Sequence, residues 1–149
     1  MPDDLAPANV NRAYSLAGTS IAIFTFTLTF LFPRFANGEI NDVLFQVALA
    51  VLGVATFSFV FAAFLYYGAS LGSIFSDADR ETYSRRADRL WLLGYSLLFL
   101  DPSIILAAVG LLVVGAVWFG LWLAYLIFAI RYFPRLHAAR PVSAKQRPG

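Results

Sequence analysis

The stretch RETYSRRADRLWLLGYSLLFLDP, Arg80 to Pro102, decides how this chain folds. Leu90 to Leu100 is a largely apolar run of about 11 residues, preceded by Arg85, Arg86, Asp88 and Arg89. A helix needs about 20 apolar residues to cross the roughly 30 Å hydrocarbon core of a bilayer. Either this run dips in and returns, leaving three spans, or it crosses and carries its charges into the membrane.

The basic residues decide between these readings. Lys and Arg collect on the cytoplasmic flanks of membrane spans. With four spans, ten of the eleven basic residues fall on one side and only Arg34 on the other. With three spans, the Arg80–Arg89 segment and the basic tail would face opposite sides. The sequence therefore predicts four crossings, with both termini cytoplasmic. The fold class is an all-α integral membrane bundle of four antiparallel helices.

Composition agrees. The chain is 60% hydrophobic and 13% charged over 149 residues. Soluble domains run near 45–50% apolar and about 25% charged, and a domain of this size has too little interior to hide the excess. The net charge of +2 could suggest nucleic acid. The basic residues, however, flank apolar blocks, where they would meet anionic lipid headgroups on the cytoplasmic side. The expected surroundings are a lipid bilayer and a second copy or a partner membrane protein, with no nucleic acid. The expected location is a prokaryotic plasma membrane, since Arg outnumbers Lys ten to one as in GC-rich genomes.

Working outward, residues 1–12 read as a loose arm, and the expected spans are 13–32, 43–67, 82–100 and 103–132. Asp3 and Asp4 stand where a signal peptide would be basic, so the first apolar run is expected to remain as a span. Pro2 occupies the position where myristoylation needs Gly. Pro33 and Asn37-Gly38 mark the first turn, with Asn41 or Asp42 as the cap of the second helix. The second helix overshoots the core and places Tyr66 and Tyr67 near the inner headgroups. Asp101-Pro102 reads as a stop-and-restart signal, with Asp as N-cap and Pro as first helical residue. A turn between Gly110 and Gly115 is disfavoured because it would leave peptide groups unpaired in lipid. Pro134 is expected to end the last helix, and 134–149 forms a basic disordered tail.

Several groups could carry function. Measured from Asp101 as the outer end, Arg89 and Arg86 would lie about 18 and 22 Å deep at 1.5 Å per residue. Intramembrane charge is a functional candidate by default. Arg85, Arg86, Asp88 and Arg89 could line a basic vestibule for an anion, a proton-coupled substrate or a lipid headgroup. Equally, the arginines could snorkel along their own stems to the headgroups. Asp101 is either a helix cap or a proton- or cation-binding carboxylate at the outer mouth. Ala108, Ala116, Gly120 and Ala124 form a small-residue strip suited to close helix packing. Gly18, Ala22, Thr25 and Thr29 offer another on the first helix, and Ala48, Ala55 and Ala62 repeat every seven residues on the second. Trp118 and Trp122 look like interface anchors.

Catalysis finds little footing. There is no Cys and a single His, His137, in the tail. No disulfide, thiol or bis-His metal site can be built, and no catalytic set, metal centre or cofactor is expected. The leading expectation is a non-catalytic structural or accessory bundle working through helix packing. The alternative is a small channel or transporter using the basic vestibule.

Overall fold

The structure is a computed structural model. It describes the backbone of residues 5–71 and 76–138, with side chains for 8–71, 76 and 78–131. Four helices make up the described chain: α1 (Leu5–Ala36), α2 (Asp42–Ser70), α3 (Asp77–Ala108) and α4 (Leu112–Ala138). All four are long and apolar enough to span a membrane.

The boundaries differ from the sequence expectation in instructive ways. Residues 5–12, expected as a loose arm, belong to α1. Pro7 lies in its first turn, where backbone N–H groups have no intrahelical acceptor anyway. α1 continues through Pro33 to Ala36, and α4 through Pro134 to Ala138. Residues 139–149 of the expected tail lie outside the described residues.

The main correction concerns Asp101-Pro102. α3 begins at Asp77, capped by the Ser76 side chain, and runs through Pro102 to Ala108. The turn falls instead at Val109-Gly110-Leu111. Gly110 has φ +88°, a conformation that a Cβ opposes. Its N–H donates to the Ala107 carbonyl, and the Leu111 N–H to the Leu106 carbonyl at 2.8 Å. These two bonds form a Schellman stop, which satisfies carbonyls that the helix end would otherwise orphan. A turn between Gly110 and Gly115, disfavoured when its peptide groups are bare, loses that cost once the motif pairs them. α1 ends in the same way. Gly38, at φ +73°, donates to Phe35, and Glu39 donates to Arg34. The two stops lie side by side, because the Asn41 N–H donates to the Ala108 carbonyl at 3.1 Å. Asn41 also caps α2, accepting from the Leu44 N–H at 3.0 Å, as its position suggested.

Packing follows chain order. α1 lies on α2, α2 on α3 and α3 on α4, and among the described residues no comparable interface joins any other pair. The buried residues of α2 include Phe45, Ala48, Leu52, Ala55, Phe59, Ala62, Tyr66 and Ala69, alternating three and four apart. That is the 3.5-residue repeat of a left-handed seam, and it contains the alanines at 48, 55 and 62. α3 answers with Ala87, Gly94, Asp101 and Ala108, all buried and seven apart. Lipid tails are as apolar as the side chains, so packing rather than the hydrophobic effect holds such helices together. Small residues let the backbones approach, and large ones fill the remaining gaps. Gly94 shows how close the approach is: a Cβ there would lie 3.0 Å from Phe59 Cε1 and 3.1 Å from the Ala55 carbonyl.

On α1 the packed residues are Ala13, Ala17, Ser20 and Thr27. The strip expected there, Gly18, Ala22, Thr25 and Thr29, is exposed. Ser20 shares a 2.8 Å hydrogen bond with Thr56, which also donates back to its own helix at the Leu52 carbonyl.

Candidate functional site

Locating the turn at Gly110 changes the depth of the arginines. Measured from Ala108, Arg89 lies about 28 Å along α3 at 1.5 Å per residue. That nearly matches the roughly 30 Å core. The apolar part of the span therefore runs from Leu90 to Ala108, with Asp101-Pro102 inside it. The charges sit at the end of the crossing and not halfway through it.

Ala87 faces α2 and is fully buried, while Arg85, Arg86 and Arg89 are exposed. Arg85 pairs with Glu81 one turn earlier at 2.6 Å, with both side chains more than half exposed. Such a pair contributes only about 0.3–0.5 kcal/mol. Asp88 is the exception: it is half-buried and accepts a 2.6 Å hydrogen bond from Tyr66 Oη on α2. Nearby, Arg80 Nε donates to the Ala69 carbonyl in the last turn of α2 at 2.9 Å. The charged start of α3 thus fastens this end of the α2–α3 seam. Tyr66, expected to mark an interface, is a buried partner of Asp88, while Tyr67 is exposed.

Tyr66→Phe removes the hydroxyl and leaves the ring in place. A hydrogen bond to a charged group contributes about 1.5–3 kcal/mol. Half-burial of Asp88 places the expected loss at the lower end, about 1.5 kcal/mol, read as a fall in unfolding free energy in mild detergent.

Asp101 is not a helix cap, because α3 passes straight through it. It is 1% exposed, and its Oδ1 is buried without a hydrogen-bond partner. Two residues on, the Ser103 hydroxyl donates back to the Leu100 carbonyl at 2.6 Å. Pro102 has no N–H to offer the Leu98 carbonyl, so the helix loses one internal bond in this turn.

The strip Ala108, Ala116, Gly120 and Ala124 is divided by the structure. Ala108 belongs to α3 and is buried, whereas the other three lie on α4 and are exposed. α4 packs through a neighbouring face. A Cβ on Gly115 would lie 3.1 Å from the Ser103 carbonyl. Trp118 Nε1 donates to the Phe99 carbonyl at 3.3 Å, and Trp122 Nε1 to the Ser96 carbonyl at 2.9 Å. Both tryptophans, expected as interface anchors, therefore join α4 to α3. Tyr125 adds ring contacts to Tyr95 and Phe99. The face runs through Gly115, Trp118, Trp122, Tyr125 and Ala129, spaced three and four apart, a signal masked by the small-residue strip Ala116, Gly120 and Ala124 beside it.

Among the described residues, no three His, Cys, Asp or Glu side chains group as metal ligands would. No protein-family model matches the chain, and no curated protein and no solved structure matches it at a significant level.

Proposed function

We propose that this chain is a non-catalytic subunit of a plasma membrane, an antiparallel four-span bundle with cytoplasmic termini that works by packing against another membrane-embedded helix. Charge distribution supports the orientation, since the four-span reading puts ten of eleven basic residues on one side. The antiparallel order is supported by pairs whose numbers run in opposite directions along neighbouring helices. Ser20 meets Thr56 and Phe35 meets Phe45; Tyr66 meets Asp88 and Ala69 meets Arg80; Ser96 meets Trp122 and Phe99 meets Trp118.

The observation that carries the proposal is the outer face of α4. Ala116, Gly120 and Ala124 are exposed at four-residue spacing and take no part in the packing of α4 on α3. A Cβ added to Gly120 meets nothing within 4 Å. Small residues at this spacing let a second helix come close, and here that helix comes from a second copy or a partner protein. The transport reading draws less support, because Arg85, Arg86 and Arg89 are exposed.

Gly120→Ile tests the proposal without disturbing the chain's own packing. Energy transfer between labelled copies in lipid vesicles should report self-association of the wild type. Overpacking costs about 1–3 kcal/mol, so association should weaken roughly tenfold or more, with thermal stability unchanged. If the wild type stays dispersed at every density, and no partner membrane protein is lost from the Gly120→Ile preparation, the α4 face is not a packing site.

A further inference from the structure

We propose that the Asp101 carboxyl group is a proton-binding site inside the membrane span, held as a neutral carboxylic acid while the α2–α3 seam is closed. The ligand is a proton, and the site is independent of any partner on α4.

Three observations converge on it. First, Asp101 is 1% exposed within the chain itself, so neither water nor headgroups reach it in the closed bundle. It lies about 10 Å along the helix from Ala108, inside the hydrocarbon depth. Second, its Oδ1 is buried without a hydrogen-bond partner. A buried carboxylate with an unfilled acceptor is among the costliest arrangements in a protein, and binding a proton removes the charge. Third, no counter-charge is available. α2 has no ionisable residue from Val43 to Leu65, and α1 has none from Ser15 to Pro33. α4 offers only Tyr125 between Leu112 and Ile130, and α3 itself only Tyr95 between Leu90 and Ala108. Each of these tyrosines is neutral unless it loses its own proton, so neither supplies a positive charge.

Pro102 leaves the Leu98 carbonyl without its helical N–H partner, three residues before Asp101 in the same helix. A protonated Asp101 has a donor to offer there, and an ionised one has none.

Proton counting sets the sign of the pH effect. If the folded chain holds a proton on Asp101 that the opened chain releases, the opened state binds fewer protons. Stability then falls as pH rises. The charged groups at the chain's other sites contribute equally to the wild type and to an Asp101 variant, so they cancel in a comparison.

The test is infrared difference spectroscopy in lipid vesicles, wild type against Asp101→Asn. At neutral pH the wild type should show the carbonyl stretch of a protonated carboxylic acid, which the variant lacks. Asp101→Leu serves as a second variant if the amide does not fold, since the same reasoning makes an apolar residue acceptable there. Thermal unfolding supplies the second readout: raising the pH from about 4, where an exposed Asp begins to lose its proton, to alkaline should lower the wild-type midpoint more than either variant's. A carboxylate band in place of the acid band at neutral pH would overturn the proposal. So would an identical pH dependence of unfolding in all three proteins.

Discussion

Replacing Gly94 with leucine is expected to separate α2 from α3 over the middle of their seam. In an open helix position, replacing Gly with Ala stabilises by about 0.5–1 kcal/mol through backbone entropy. At Gly94 that gain meets a wall, since the first added carbon already lies 3.0 Å from Phe59 and 3.1 Å from a carbonyl. Phe59 is itself fully buried and cannot swing away without opening a gap elsewhere. Leucine adds three further carbons with no space for them. A loss of about 3 kcal/mol or more is expected, at or above the usual range for overpacking. Gly53→Leu on α2 is the control, because nothing lies within 4 Å of its Cβ position. Denaturant titration in mild detergent should show a large drop for the first variant and little change for the second. Equal stabilities would mean that the seam is looser than these distances state.

The second large effect is expected at Gly115→Leu. Here the obstacles are backbone atoms, the Ser103 carbonyl at 3.1 Å and the Ala107 N at 3.3 Å. Helical backbone cannot rotate aside as a side chain can, so α4 itself must move. The tryptophan bonds to Phe99 and Ser96 depend on the same approach distance. A loss of about 3 kcal/mol is expected for the α3–α4 contact. Tryptophan fluorescence should register the release of Trp118 and Trp122, and an unshifted spectrum would count against the assignment of this face.

Much of the architecture was legible from elementary patterns. Charge parity predicted four helical crossings, and four span-length helices are present. The seven-residue alanine repeat on α2 identified its packed face, and Asn41 its cap. The α3–α4 boundary was not legible because an Asp-Pro pair has two physical meanings. It suits the first turn of a helix, and it is also tolerated inside one at the loss of a single bond. The competing signal was present at Gly110. It stands four residues after Leu106 and directly before Leu111, the apolar pair that accompanies a Schellman stop. With Asp101 as a terminus the apolar part of the third span is about 11 residues, Leu90 to Leu100, where the helix carries it on to Ala108. That shortness was the whole case for deep arginines. With the boundary moved, the depth anomaly leaves Arg86 and Arg89 and settles on Asp101. The α4 face was obscured for a different reason: Trp118 and Trp122 suit a headgroup interface as well as a helix contact, and Ala116, Gly120 and Ala124 offer a competing small-residue strip.

The order of packing also fixes how damage spreads. Among the described residues each extensive interface joins consecutive helices, so the four helices form a linear array with nearest-neighbour couplings, in the manner of a short solenoid. An interior member is held twice and an end member once. α2 and α3 are therefore the members whose loss severs the array, while α4 can loosen from α3 and leave the α1–α2 and α2–α3 couplings intact.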